Sequence, residues 1–292
     1  MSLGGLNVPH LRLFVLFTLL SAGASIGVHA QWLNYPTPGT PRLRDGKPNL
    51  AAPSPRAANG RPDLSGVWLH QPTSLAEMKR LFGNLIDAAV KVSVPGMEVD
   101  TVSKYGINIL LDFKPEEAPM RPAASEILGR GPGGEATNGC LPLGIPLSGL
   151  VSEPNKIVQS ARMIVILYES DGTHRQIYTD GRGLPREVAQ PSWLGYSVGR
   201  WEGDTLVVET AGFNDRTRLD IIGHPHGEGL RIVERYRRRD FGHLDVEMTF
   251  DDSQMYTRPF TIKFTQDLLA DSDIVEYVCH ENEKDHTHIG QK

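Results

Sequence analysis

Cysteine is scarce in this chain: Cys140 and Cys279 are the only two in 292 residues, and no Cys-x-x-Cys spacing offers a thiolate zinc site. Long apolar runs are also missing. Beyond Leu20 no segment approaches the roughly 20 consecutive apolar residues that a membrane-spanning helix needs. Basic charge is short as well. Beyond Ala30 the chain holds 29 Lys and Arg against 35 Asp and Glu, a formal charge of −6, which argues against a nucleic-acid partner. The basic run Arg235–Arg239 then reads as a solvated strand end. Gly129-Arg130-Gly131-Pro132-Gly133-Gly134 has the composition of a phosphate loop, yet no strand precedes it and Pro132 interrupts it, so neither a P-loop nor a dinucleotide fingerprint is present.

What is present begins with a leader. Residues 1–30 carry a weakly basic start at Arg12, an apolar run from Leu13 to Leu20 and a small-residue site at Val28-His29-Ala30. That pattern predicts a secretory signal cleaved near Ala30 and an exported, periplasmic or extracellular protein. In an oxidising compartment Cys140 and Cys279 are expected to form one disulfide, with two buried free thiols or a reactive thiol as the alternatives.

From Arg162 to Glu281 the chain reads as about eight strands joined by short turns. Asp171-Gly172, Glu202-Gly203-Asp204 and Phe241-Gly242 supply turn residues where the alternation breaks. Alternation is clearest in Leu230, Ile232, Glu234 and Tyr236 against Arg231, Val233, Arg235 and Arg237, which gives the strand two unlike faces. A run of sequential strands leaves two bare edges unless it curls shut. The fold expected is therefore mainly β, an antiparallel up-and-down barrel or rolled sheet, with an amino-terminal extended arm and one or two covering helices. The divisions are 1–30 leader, 31–64 arm, 65–156 first strand, helix and covering loops, 157–281 β meander and 282–292 polar tail.

The arm contains an internal repeat. Pro41-Arg42-Leu43-Arg44-Asp45-Gly46-Lys47-Pro48-Asn49-Leu50 recurs fourteen residues later as Pro55-Arg56-Ala57-Ala58-Asn59-Gly60-Arg61-Pro62-Asp63-Leu64. Each copy reads as an extended stretch with an Asx-Gly turn lying across the domain surface. After it, Ser74 and Glu77 form a capping-box pattern, and Leu75, Met78, Leu81, Phe82, Leu85, Ile86 and Ala89 make one apolar stripe, predicting a helix over Ser74 to Lys91.

Asp63-Leu64-Ser65-Gly66-Val67-Trp68, taken with Trp201-Glu202-Gly203-Asp204-Thr205-Leu206-Val207-Val208-Glu209-Thr210 and Asn214-Asp215, resembles a group of secreted bacterial proteins of uncharacterised function that share this layout. The resemblance implies export and carries no activity. Gly66-x-Trp68 at the first strand is also similar to the lipocalin signature, which implies a calycin-like barrel.

Candidate chemistry is scattered. Gly195-Tyr196-Ser197-Val198-Gly199 matches the Gly-x-Ser-x-Gly elbow, with Asp215 or Asp220 and His224 or His226 following in hydrolase order. An elbow needs a helix after its serine, whereas Arg200 to Thr210 continues as a hairpin, so both glycines are expected as strand residues. The pairs His224/His226 and His286/His288 place two imidazoles on one side of an extended segment, without a third ligand at a recognisable spacing, and no metal or other cofactor is expected. Glu169, Arg175, Glu209, Glu234, Glu247 and Lys263 sit within β-forming runs; any that face the interior must be paired.

Two function classes remain in view. A binding protein for a small, partly apolar molecule would line its barrel cavity with Trp68, Trp193, Tyr196 and Trp201. A cofactor-free lyase, isomerase or hydrolase would gather Asp180, Arg182, Glu209 and His226 at the barrel mouth, with Arg182 stabilising negative charge and His226 shuttling a proton. A filled barrel would instead favour an envelope scaffold.

Overall fold

The computed structural model describes residues 35–83, 103–131, 141–187 and 190–278, leaving aside the side chain of Phe82. The leader, Cys140, Cys279 and hence their expected bond, the distal half of the predicted helix, His280, His286, His288 and the tail 282–292 all lie outside the described residues.

Nine strands follow in chain order: β1 (Gly66–His70), β2 (Asn155–Gln159), β3 (Met163–Tyr168), β4 (His174–Tyr178), β5 (Tyr196–Glu202), β6 (Thr205–Ala211), β7 (Arg231–Arg238), β8 (His243–Asp251) and β9 (Phe260–Leu268). Each pairs with the next and β9 returns to β1, so the sheet is a closed barrel without edges. The sequence predicted about eight antiparallel strands; the ring has nine, and it is mixed. A ring in which directions strictly alternate needs an even number of strands, so nine require one parallel pair, and that pair is β4 with β5, Ile177 opposite Ser197. A parallel pair of neighbours requires a connection that crosses back along the barrel. The expected last strand from Ile274 is also corrected, since residues 274–278 form no strand. Its place in the ring is taken by β1 and β2. Strand β2 escaped notice because Asn155, Lys156 and Gln159 dilute its apolar alternation, although Asn155 and Ile157 both point inward and are buried.

The alternation read in β7 is the one the barrel uses. Ile232, Glu234 and Tyr236 are buried, whereas Arg231 and Val233 are exposed. Leu206, Val208, Val246, Phe250 and Ile262 complete the same interior face on neighbouring strands. Gly66 shows why the first strand opens on glycine. Its φ is +148°, and a Cβ there would stand 2.5 Å from Leu268 Cδ1 and 3.3 Å from Trp68 Nε1. Trp68 itself is completely buried, its Nε1 donating to Leu64 O at 2.9 Å.

Three short α-helices accompany the barrel among the described residues. In α1 (Leu75–Phe82), Ser74 Oγ accepts from Glu77 N at 3.2 Å as the capping pattern predicted, but the Glu77 carboxylate turns to Arg80. Short α2 (Lys104–Ile107) and α3 (Pro122–Gly129) follow. Residues 141–150 plug one end of the barrel, where Ile145, Pro146 and Gly149 meet interior Tyr168 and Tyr236.

The arm repeat folds as two copies of one small clasp. In the first, Leu43 N donates to Lys47 O and Asn49 N to Pro41 O; in the second, Ala57 N donates to Arg61 O and Asp63 N to Pro55 O. Each copy's arginine caps its own turn and then grips the barrel side. Arg42 forms a bidentate pair with Asp271 at 2.6 and 2.8 Å, and Arg56 forms one with Asp204 at 2.6 and 2.7 Å.

Candidate functional site

The four residues expected to act together are spread over separate sets of contacts. Asp180 follows β4 and receives Arg182 Nε and Nη2 at 2.9 and 2.7 Å, which holds its carboxyl below the usual range. Arg182 also lies 3.9 Å over the Tyr178 ring and donates to Tyr196 Oη at 3.0 Å. Glu209 stands on the outer face of β6, paired with Arg200. His226 lies in the loop after β6. None of the hydrogen bonds of His226 reaches Asp180, Arg182 or Glu209.

The aromatic candidates are dispersed too. Trp68 is core, Tyr196 stacks on Tyr178 at 5.2 Å, Trp193 lies under Arg216 at 4.6 Å and Trp201 under Arg61 at 5.6 Å. Ser197 is no nucleophile at an elbow. It faces the barrel interior on β5, where Arg175 Nε donates to it at 2.9 Å and Thr210 Oγ1 lies 3.0 Å away.

Of the charges noted within strands, Glu247 and Lys263 pair on the outer surface at 2.7 Å, Glu169 is buried just after β3 where it accepts from Val275 N at 3.0 Å, and Arg175 and Glu234 are buried on inward-facing positions of β4 and β7. Arg175 meets Glu234 with two nitrogens and also donates to Thr210 Oγ1 at 2.6 Å, while Tyr236 Oη donates to Glu234 at 2.6 Å. Burial works against the Arg175 charge, and the Glu234 carboxylate more than restores it, so the guanidinium is held charged. Burial also pushes the Tyr168 phenol up to about 12. Between this network and the plug, a void of about 20 Å³ remains, bordered by Tyr168, Tyr236, Asn155 and Gln266. A void of that size holds about one water molecule.

The loop after β6 is built around one carboxylate. Asp220 is buried and accepts from Ile109 N at 2.7 Å, Gly223 N at 2.9 Å, His224 N at 3.0 Å and His224 Nδ1 at 2.5 Å. His226 is buried beside it in sequence but bonds elsewhere. Its Nδ1 faces Gly227 O at 3.2 Å and therefore carries the proton, which leaves Nε2 to accept from Thr217 Oγ1 at 2.6 Å. The two histidines thus have different partners, and among the described residues no group of three or more His, Cys, Asp or Glu is arranged to hold a metal.

Burial lowers the pKa of His226 below 6.5, and of His70 likewise, so both are neutral in the fold at neutral pH. The unfolded chain takes up those protons near 6.5, so stability is complete above that pH and falls below it, with a slope of up to about 1.4 kcal/mol per pH unit for each histidine. Urea midpoints between pH 7.5 and 5.5 should show the decline, and His226→Asn should flatten it. A profile unchanged by that substitution would mean that His226 titrates alike in both states.

A large concavity lies where the arm crosses the end of the barrel, beside β1 and β9. It encloses about 680 Å³ and is lined by Tyr35 and Pro38 of the arm, by Val67, Phe241 and Leu268, and by Arg238 and Lys156. Arg238 is buried although it belongs to the basic run read as solvated. Its even-numbered place, two residues after Tyr236, puts it on the inward face, and that alternation was the signal available. The guanidinium lies 4.9 Å from the Trp68 ring and 5.0 Å from the Phe241 ring. Its hydrogen bonds run to backbone carbonyls, Asp63 O at 2.6 Å, Ser65 O at 3.2 Å and Phe241 O at 2.5 Å. Burial lowers its pKa to about 10, which leaves it charged at neutral pH. Lys156 at the rim is held by Asp273 at 2.7 and 2.8 Å. Apolar walls with a few fixed polar groups are the usual make-up of a small-molecule site, and the volume falls within the range of about 300–1,000 Å³ such sites occupy. Comparison with protein-family models, with curated proteins and with solved structures found no match to this chain in any of the three.

Proposed function

We propose that this is an exported protein that binds a small, partly apolar molecule, and that the molecule sits in the groove where the arm crosses the end of the barrel. The groove itself carries the reading. It offers about 680 Å³ against about 20 Å³ left between the plug and the Arg175 network, so the lumen described there is a packed core and this groove takes the role expected of it. Phe241, Leu268 and Val67 suit an apolar body, while Arg238 and the Lys156–Asp273 pair suit a polar end. Export rests on the leader pattern of residues 1–30 and on the resemblance to secreted proteins.

The test pairs mass spectrometry of small molecules retained by the purified protein with a variant that fills the groove. Ala270 lines it, and Ala270→Trp should weaken binding of dodecanoate or of an anilinonaphthalene sulfonate probe at least about tenfold, because an indole occupies the space of a ligand ring. Probe affinity unchanged in a folded Ala270→Trp protein would remove the groove as the site.

A cofactor-free enzyme is the second reading, favoured by the Asp220–His224 pair. A buried carboxylate orients the imidazole through Nδ1, and Nε2 makes no hydrogen bond among the described residues, the arrangement a general base requires. That pair replaces the dispersed Asp180, Arg182, Glu209 and His226 as the acid–base candidate.

A further inference from the structure

The two clasps of the arm have the same internal bonds but different settings. The second is pinned into the body. Within it Leu64 is buried and Arg238 donates to Asp63 O at 2.6 Å; just before it Phe241 N donates to Ala52 O at 2.7 Å, and Gly242 N donates at 2.8 Å to the carbonyl of Leu50, the last residue of the first copy. Before Leu50 the first makes no backbone–backbone hydrogen bond to the barrel among the described residues. What fastens it is Asp271: Arg42 grips both carboxylate oxygens, Thr37 N donates to Oδ1 at 2.8 Å, and Asp271 N donates back to Thr37 Oγ1 at 3.0 Å. Asp271 lies between Ala270 and Ser272, which line one lip of the groove, and Thr37 lies among the arm residues that line the other. The contact that fastens the arm therefore joins the two lips. Asp271 also holds a φ of +61°, a left-handed conformation that aspartate adopts at some cost and that surrounding contacts must maintain.

From this juxtaposition we infer that the first clasp is a latch, and that residues 35–49 are a strap which opens and closes over the groove while residues 50–64 stay in place. The inference rests on the groove being the ligand site and adds how access to it is governed. Partly exposed ion pairs such as Arg42–Asp271 are weak and screened by salt, which suits a contact that must release. The repeat supplies its own control, since Arg56–Asp204 is the same clasp in the second copy, whose groove-lining residues Pro55 and Asp63 belong to the segment that stays in place.

The experiment uses the full mature chain as wild type, Arg42→Gln, Asp271→Asn and Arg56→Gln. Trypsin cleavage after Arg44 reports strap opening without any ligand. Stopped-flow fluorescence of the anilinonaphthalene sulfonate probe reports entry and exit. Arg42→Gln and Asp271→Asn should each raise cleavage after Arg44 and both probe rates by about fivefold, the scale of a lost surface ion pair, and Arg56→Gln should change neither. Unchanged cleavage in both latch variants overturns the latch. Raised cleavage with unchanged probe rates overturns its control of access while leaving the groove as a site. Absence of probe binding to wild type and to the latch variants alike overturns the groove reading, and the inference with it.

Discussion

Arg175→Met is expected to cost about 3–5 kcal/mol of folding stability, because it strands the Glu234 carboxylate in the barrel interior without its counter-charge. Glu234 is 0 % exposed and Arg175 2 %, so neither charge can turn to water when the other is removed. The loss reaches further than one bond. Arg175 also serves Ser197 and Thr210, and Tyr236 donates to the same carboxylate, so the single replacement leaves hydroxyls on β5 and β6 facing an unpaired acid. Arg175→Met combined with Glu234→Leu should recover most of the loss, since an apolar pair of similar size removes both desolvation costs together. Guanidinium unfolding of the wild type, both singles and the double closes the cycle. A single-variant cost under about 1 kcal/mol would show that water reaches the pair and that the interior is not sealed.

The sequence made this pair half visible. That Glu234 faces the same way as Ile232 and Tyr236 follows from period two alone, and the structure keeps that face inside. Which cation answers it does not follow, because Arg175 lies on β4 and reaches Glu234 on β7 only once the barrel closes. The parallel β4–β5 pair was hidden for a related reason: local alternation is the same whichever way a neighbour runs, and the connection 179–195 carries no helical pattern to announce a crossover. The arm repeat was plain in the residues, and so was its turn. Its destinations were not, since Asp204 and Asp271 lie 148 and 229 residues from the arginines that grip them. The site residues fared worst. Arg238 was concealed among the three other arginines of one basic run, and Asp180, Glu209 and His226, each with partners of its own, show that residues able to do acid–base chemistry must also share contacts before they can do it together.

Asp220→Ala is expected to cost about 3–5 kcal/mol and to loosen residues 217–227 before the barrel itself unfolds, because Ile109 N, His224 N and His224 Nδ1 lose their acceptor at once and Gly223 N keeps only the Asp220 carbonyl at 3.2 Å. Two of those donors, Gly223 N and His224 N, fix the turn within the loop; Ile109 N ties the loop to the segment after α2; and His224 Nδ1 sets the imidazole. Each stranded donor carries a penalty of about 1–3 kcal/mol where water cannot reach it, and local opening relieves part of the sum, which is why the total stays below a simple addition. Hydrogen exchange should therefore show faster exchange at Ile109, Gly223 and His224 while the amides of β7 and β8 keep their protection. Asp220→Asn separates geometry from charge. Its oxygen can still accept from Gly223 N and His224 N, whereas its amide group faces Ile109 N as donor against donor, so a smaller cost of about 1–3 kcal/mol is expected. The same amide now offers a proton to His224 Nδ1, which moves the ring proton to Nε2, and nitrogen NMR of the imidazole reads that exchange of tautomers directly. If His224 kept its proton on Nδ1 in the Asn variant, and the Ala variant lost under about 1 kcal/mol, Asp220 would not be the group that positions this imidazole, and the acid–base reading of the loop would lose its foundation.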